Sequence, residues 1–508
     1  MGKHKELLTL STRAMQSTLT IAPPHRRHQR IPLYLLFWLE PLWLAVIAAP
    51  ILLPGLLPVS LQPLAVGLLL LFWPMRWFLQ RRQIMSFHGL HPMLVTMLLW
   101  LPINLWVAVN QSNAWIALGY TLLGIALYFT SINHPWLRAR PLYLGRALLL
   151  LSIILILVAP ALVQWKSEFR LFYTPIYDWF QYIPLQVGET VHANILAGAL
   201  VQLSAIALAL ALPPVQSKVK TVHQAQRQSP DAADEPHRQR FLRIKVHRVD
   251  RLQRWMAGIV AVLLMTLLIL TQSRGAYLAL AVVLLVLFML RWPRLRLLLP
   301  LLVLATAIAV YGYGPAATFE LLGSDNTFGG ANWRTSVWHA AGQAIHDFPY
   351  TGIGNFRTVL PTLYPHPALE MDSANHAHNL AMQLSLDLGL PGLLAYYLFV
   401  VTLIWRAIQR LRQRTFVPAP QPIAPNGNTR QRQKAIVRMA RRHTENWALT
   451  AGALAAVVGI QVHGLLDAVT WGTKLAFLPW LCFALIQLSA PSQAETATPD
   501  GDHGESAP

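Results

Sequence analysis

The stretch Asn375-His376-Ala377-His378-Asn379 sets two imidazoles and two amides immediately before an apolar run from Leu380 to about Trp405. Imidazole takes and returns a proton near neutral pH, so a histidine at such a boundary is a candidate general base. Two positions apart, His376 and His378 point the same way on extended chain and diverge on a helix. A chain turning into a helix therefore lets only one of them aim at a given point. His-x-His also offers two ligands to zinc, which wants a third, and the options close in sequence are His366 and Asp372. Neither completes a convincing ligand set, so no metal and no cofactor is expected.

Three arginines join the histidines. Arg274 lies in Gln272-Ser273-Arg274-Gly275, where one apolar run ends and the next begins, with Gly275 expected to permit a tight reversal. Arg334 lies between Trp333 and Trp338, and Arg357 follows Gly352-x-Gly354-Asn355. The planar guanidinium fork suits phosphate, and the indoles offer stacking surfaces. A headgroup-contacting Arg274 or an Arg334 packed on tryptophan would account for the same residues without chemistry. Asn355 is a further candidate contact. Gly352-x-Gly354 lacks the surrounding βαβ unit of a dinucleotide site.

Asn379, Gln383 and Asp387 recur at i, i+4 and i+8, forming one polar stripe on an apolar helix. Polar groups in a bilayer need partners, so the stripe should face the bundle interior or a wet cavity and could orient His378. His463 and Asp467 repeat the spacing near the end of a later run, and Lys474 follows. They could line the same cavity, although an Asp467–Lys474 pair would explain both charges.

The elements that must position these residues are membrane helices. Hydrophobic residues make up 55% of the chain and charged residues 12%, against about 25% charged in soluble proteins. Apolar runs predict about twelve spans, near 32–52, 58–78, 92–109, 114–133, 144–164, 191–213, 254–272, 275–291, 296–313, 379–405, 446–466 and 471–490. The net charge of +20 sits in short segments between them, which is the pattern of cytoplasmic loops and not of nucleic-acid binding. The one cysteine, Cys482, excludes an internal disulfide.

This threading divides the chain into a cytoplasmic N-terminal segment 1–31, a six-helix region 32–213 and a basic cytoplasmic loop 214–253. A core 254–405 follows, with a large extracytoplasmic loop 313–378 between the ninth and tenth helices. A second basic loop 406–445, a helix pair 446–490 and an acidic, disordered tail 491–508 complete it. The outer loop is longer than a connector needs, and loops of that size commonly carry a site.

The series Ser273-Arg274-Gly275-Ala276, Trp333-Arg334, Pro349-x-x-Gly352-x-Gly354-Asn355-Phe356, His376-x-His378-Asn379 and Gly389-x-x-Gly392 resembles the O-antigen ligase and polymerase family, over about residues 255 to 405. The resemblance implies a GT-C-like, all-α, polytopic glycosyltransferase of the bacterial cytoplasmic membrane, working on its outer face. The implied donor is a glycan on undecaprenyl diphosphate, and the implied acceptor is a hydroxyl on a glycan, lipid or protein. Arg274 and Arg334 match arginines that hold the diphosphate, and His378 matches the histidine that acts on the acceptor, with no metal required. Two departures bear on acceptor choice: Asp387 stands where Glu is common, and His192-Ala193-Asn194 stands where Asn-Pro-Asn is frequent.

A ligase is favoured over a polymerase because these three residues match the ligase arrangement. A small-anion transporter is the alternative class, and a non-catalytic scaffold a third. Transporters gather their polar residues at the midplane between broken, repeated helices, whereas here they gather at one interface.

Overall fold

The computed structural model describes residues 31–53, 58–80, 91–165, 172–181, 183, 191–212, 236–298, 331–354, 360–365, 376–412 and 429–489, with scattered positions between 300 and 312. In chain order the principal elements are α1 (Ile31–Leu52), α2 (Gln62–Gln80), α3 (His91–Val107), α4 (Gln111–Asn133), α5 (Leu142–Leu162), β1 (Val163–Gln164), α6 (Ile176–Gln181), β2 (Val191–His192), α7 (Ala193–Ala211), α8 (Pro236–Leu270), α9 (Arg274–Arg291), α10 (Ala331–Asp347), α11 (Leu380–Arg412), α12 (Thr429–Gly464) and α13 (Leu478–Leu488). β1 and β2 pair in parallel over two residues.

Among the described residues, seven helices are long and apolar enough to cross a membrane: α4, α5, α7, Arg251–Leu270 of α8, α9, α11 and Arg441–Gly464 of α12. Shorter apolar stretches lie in α1, α2, α3 and α13. In hydrocarbon a helix satisfies its own backbone, which is why runs of this composition become helices. Leu99, Leu157, Ile259 and Leu394 stand exposed on helix faces, a surface that suits lipid. The chain is an all-α, multi-pass membrane protein.

Of the expected ninth span, 296–313, the described positions beyond a 3₁₀ turn at Pro293–Leu298 are helical, and the others lie outside the described residues. The expected twelfth span is corrected: helix begins only at Leu478, and residues 465–477 form successive turns. The polar groups of Asp467, Trp471 and Thr473 are held by hydrogen bonds there, and Gly472 takes a left-handed φ of 61°. Both basic loops are also more helical than expected, since α8 begins at Pro236, α11 runs to Arg412 and α12 begins at Thr429.

α7 is the hub. Its sequence, ANILAGALVQLSAIALALA, is rich in small residues and buried almost throughout. α5, α8, α9, α12 and α13 pack on it. Small side chains let helices approach closely where lipid supplies no hydrophobic drive. As a result the start of α7, the end of α8, the starts of α9 and α11 and the end of α12 meet at one end of the bundle. There Asn194 bonds Asp467, Asn379 bonds the carbonyl of Leu465, and Gly275 lies against His463.

Candidate functional site

Asp467, just past the end of α12, is the centre of the site. His376 Nε2 lies 2.7 Å from its Oδ1, and His378 Nδ1 lies 3.5 Å from the same oxygen. The Ala468 amide donates to Oδ1 at 2.9 Å, and Asn194 Nδ2 donates to Oδ2 at 2.8 Å. The two imidazoles are themselves in contact, with ring centroids 3.8 Å apart. This corrects the expectation that only one histidine could aim at a common point. His378 takes a left-handed φ of 48°, which folds its ring back onto that of His376. A non-glycine residue held there stores strain, and such strain concentrates at functional sites.

The peptide between the histidines is gripped from both sides. Gln383 Oε1 accepts from the Ala377 amide at 2.9 Å, and Trp338 of α10 donates to the Ala377 carbonyl at 3.0 Å. Gln383 Nε2 donates to Asp387 Oδ1 at 2.8 Å, and Trp471 donates to Asp387 Oδ2 at 2.9 Å. Asn379 accepts from the Met382 amide at 3.1 Å, capping α11. The polar stripe thus faces the protein interior, as anticipated. Asp387 is buried with both oxygens engaged, and Asn379 and Gln383 hold the loop that carries the histidines.

Arg334 sits on the first turn of α10. Its Nε is buried and has no hydrogen-bond partner among the described residues. Burial pushes its guanidinium below the usual arginine range, Asp467 pulls it back up, and Arg274 pushes it down. Asp467 and Arg274 therefore both lie within electrostatic reach of Arg334. For Asp467, burial raises the carboxyl, but hydrogen bonds and charge from His376 and His378 outweigh it and hold the group well below the ordinary carboxylate range.

One glycine expectation changes. The reversal before Arg274 carries its positive φ on Gln272, at 54°, and Gly275 lies inside α9. A Cβ on Gly275 would stand 3.1 Å from His463 Cδ2 and 3.3 Å from Leu466 Cβ, so its role is close approach of α9 to α12. The Gly352-x-Gly354 turn is a latch. It docks on the kink of α11 at Gly389, where Ile353 N donates to Leu386 O at 2.9 Å and Leu390 N to Pro349 O at 2.7 Å.

Asn355, Arg357, His366 and Asp372 lie outside the described residues, as does the side chain of Trp333. Asp467 supplies the third donor that the sequence left open. Its carboxylate and the two imidazoles lie within 4.8 Å of one another, and of the described residues these three could hold a metal ion. Arg334, within electrostatic reach of Asp467, opposes an added cation. What sequence reasoning missed was the pairing of Asp467 with His376 and His378. The available signal was a buried acid at the mouth of an apolar helix.

Residues 259–397 match a family model described as O-antigen ligase, and the recognition of that family from the sequence motifs is thereby borne out. The matched segment contains Arg274, Arg334, His376 and His378; Asn194 and Asp467 lie beyond it. Nothing among curated proteins matches the chain.

Proposed function

We propose that this chain, whose residues 259–397 match the O-antigen ligase family, is a membrane glycosyltransferase of the ligase type, moving a glycan from undecaprenyl diphosphate to an acceptor hydroxyl. The observation that carries the reading is Arg334, a buried guanidinium with an unsatisfied Nε, beside a histidine pair braced by Asp467. An anion completes the arginine, and a hydroxyl gives the histidines a proton to take.

In the reaction, the bond between the anomeric carbon and the diphosphate oxygen breaks, and the acceptor oxygen forms the new bond. Arg334 and Arg274 stabilise the charge that gathers on the departing lipid diphosphate. His378 removes the acceptor proton. Asp467 stabilises the imidazolium that results and holds His376 and His378 in place. His376, Asn355 and Arg357 are assigned to substrate contact, and Asn379 and Asp387 act on the substrate through the histidine loop. These steps use no metal.

Charge distribution supports an outward-facing site. The helix ends remote from it carry Arg251, Arg254, Arg291, Arg406, Arg410, Arg412, Arg438, Arg441 and Arg442, while the site ends carry few cations besides Arg274 and Arg334. Basic ends belong on the cytoplasmic side, which supports a site on the opposite face of the cytoplasmic membrane, where lipid-linked glycans are presented.

A deletion strain tests the assignment. Loss of all ligated surface chains with accumulation of lipid-linked glycan is the ligase outcome. Surface chains one repeat unit long would reassign the protein to the polymerase reaction. Unchanged lipid-linked glycan and unchanged surface chains would refute glycan transfer.

A further inference from the structure

Two non-glycine residues among those described have positive φ: His378, the candidate base, and Gln272, two positions before Arg274. The strain at Gln272 is held by side chains from another part of the chain. Gln272 Nε2 donates to the hydroxyl oxygen of Tyr177 at 2.8 Å and to the Phe172 carbonyl at 2.9 Å. The Tyr177 hydroxyl in turn donates to the Leu270 carbonyl at 2.8 Å, one of the last carbonyls of α8. Tyr177 is fully buried, with its ring tilted against Trp165 at 5.9 Å between centroids. On the other flank the Tyr277 hydroxyl donates to the Ile269 carbonyl at 2.6 Å. The turn from α8 to α9 is thus pinned from both sides, and Arg274 is the first residue after it.

We propose that Tyr177 and Gln272 are positioning residues for Arg274, locking the strained turn that aims its guanidinium at the diphosphate. This inference rests on the reading of Arg274 as a diphosphate ligand. Tyr177 lies outside the segment that matches the family, so the device joins the extramembrane segment around α6 to the matched core. A left-handed glutamine has no local reason to persist unless its surroundings over-determine it. Here the Tyr177 hydroxyl provides that constraint twice, accepting from the side chain of Gln272 and donating to the helix end before it.

The test uses the full chain in lipid nanodiscs, with binding of undecaprenyl diphosphate and steady-state transfer measured in parallel. Tyr177→Phe keeps the ring and removes the hydroxyl. Gln272→Ala removes the amide and keeps the backbone strain, whereas Gln272→Gly removes both. Tyr177→Phe and Gln272→Ala are expected to weaken diphosphate binding about tenfold and to raise the donor KM alike, with kcat changed less than about threefold. Gln272→Gly should recover part of the loss, because glycine adopts the positive φ freely. In an Arg274→Ala background, Tyr177→Phe should weaken binding no further, since a residue acting through Arg274 has nothing left to position.

Wild-type binding by Tyr177→Phe and Gln272→Ala, with binding lost in Arg274→Ala, would overturn the positioning role and leave the function intact. Equal losses from Tyr177→Phe in both backgrounds, with a lowered Tm, would overturn it in favour of general stabilisation. Unchanged binding in Arg274→Ala would overturn both the donor reading and the inference built on it.

Discussion

Replacing Asp467 by Asn tests the centre of the mechanism with the least change in shape. Asn keeps one carbonyl oxygen for the Ala468 amide or Asn194 but removes the charge that faces both imidazoles. Exchanging the charge-assisted contact to His376 at 2.7 Å for a neutral one costs about 1–2 kcal/mol. The attraction between Asp467 and an imidazolium forming on His378, at 3.5 Å, is about 5 kcal/mol at an effective dielectric of 20, and Arg334 offsets part of it. Net of the Arg334 offset and the dipole that Asn keeps, the loss of transition-state stabilisation is about 2–4 kcal/mol, or a fall in kcat of about 30- to 1000-fold. Donor KM should hold or fall, because Arg334 loses a competing anion. The assay is glycan transfer by purified protein in nanodiscs, with donor binding and thermal unfolding run alongside to confirm the fold. A folded Asp467→Asn protein with kcat within about threefold of wild type would refute the assignment of Asp467 as the brace of the base.

His378→Ala is expected to abolish transfer while retaining donor binding, and His376→Ala to fall with Asp467→Asn because they share the 2.7 Å bond; normal turnover in His378→Ala would remove the base. Arg274→Lys and Arg334→Lys keep charge and lose the fork, so donor KM should rise about tenfold or more at each, as measured by initial rates. Gly389→Ala sets a Cβ 2.1 Å from the Tyr350 carbonyl oxygen at a φ of +66°, so the Tm should drop by many degrees, and an unchanged Tm would show that the latch is dispensable. Because the Asp467 carboxyl is held low, its stabilising contribution is complete above the ordinary carboxyl value of about 4 and disappears only as pH falls through its lower folded value; the Tm gap between wild type and Asp467→Asn should therefore not close between about pH 7 and 5. Transfer should also survive EDTA, and a loss restored by one divalent ion would make His376, His378 and Asp467 metal ligands.

Most of the helices were legible in the sequence because hydrocarbon makes one demand of the backbone and apolar length answers it. α4, α5, α7, α9 and the membrane portions of α8, α11 and α12 follow that rule. Where the rule fails, a local competitor wins. Residues 471–477 are apolar enough to be taken for helix, but Trp471 finds a tertiary partner in Asp387, and Gly472 turns the chain. Gly275 was a turn residue by its neighbours and a packing residue by its contacts, a difference that depends on His463, far away in the sequence.

The site divides along the same line. The histidines and arginines could be found because charged and ionisable groups are expensive at a membrane face and therefore few. Their arrangement was hidden, because it is made by residues that share no sequence neighbourhood. Asp467 arrives from the end of α12, Asn194 from the start of α7, and Trp338 from a helix outside the apolar spans. The i, i+4 stripe gave the right helix face for Gln383 and Asp387, but their work is one step back from the chemistry: Trp471 fixes Asp387, Asp387 fixes Gln383, and Gln383 fixes the peptide between the histidines. A sequence motif records which residues are costly to place in a membrane. The reason the cost is worth bearing appears only when five helix ends meet, and two of the residues that complete the centre, Asn194 and Asp467, lie outside the segment by which the family is recognised.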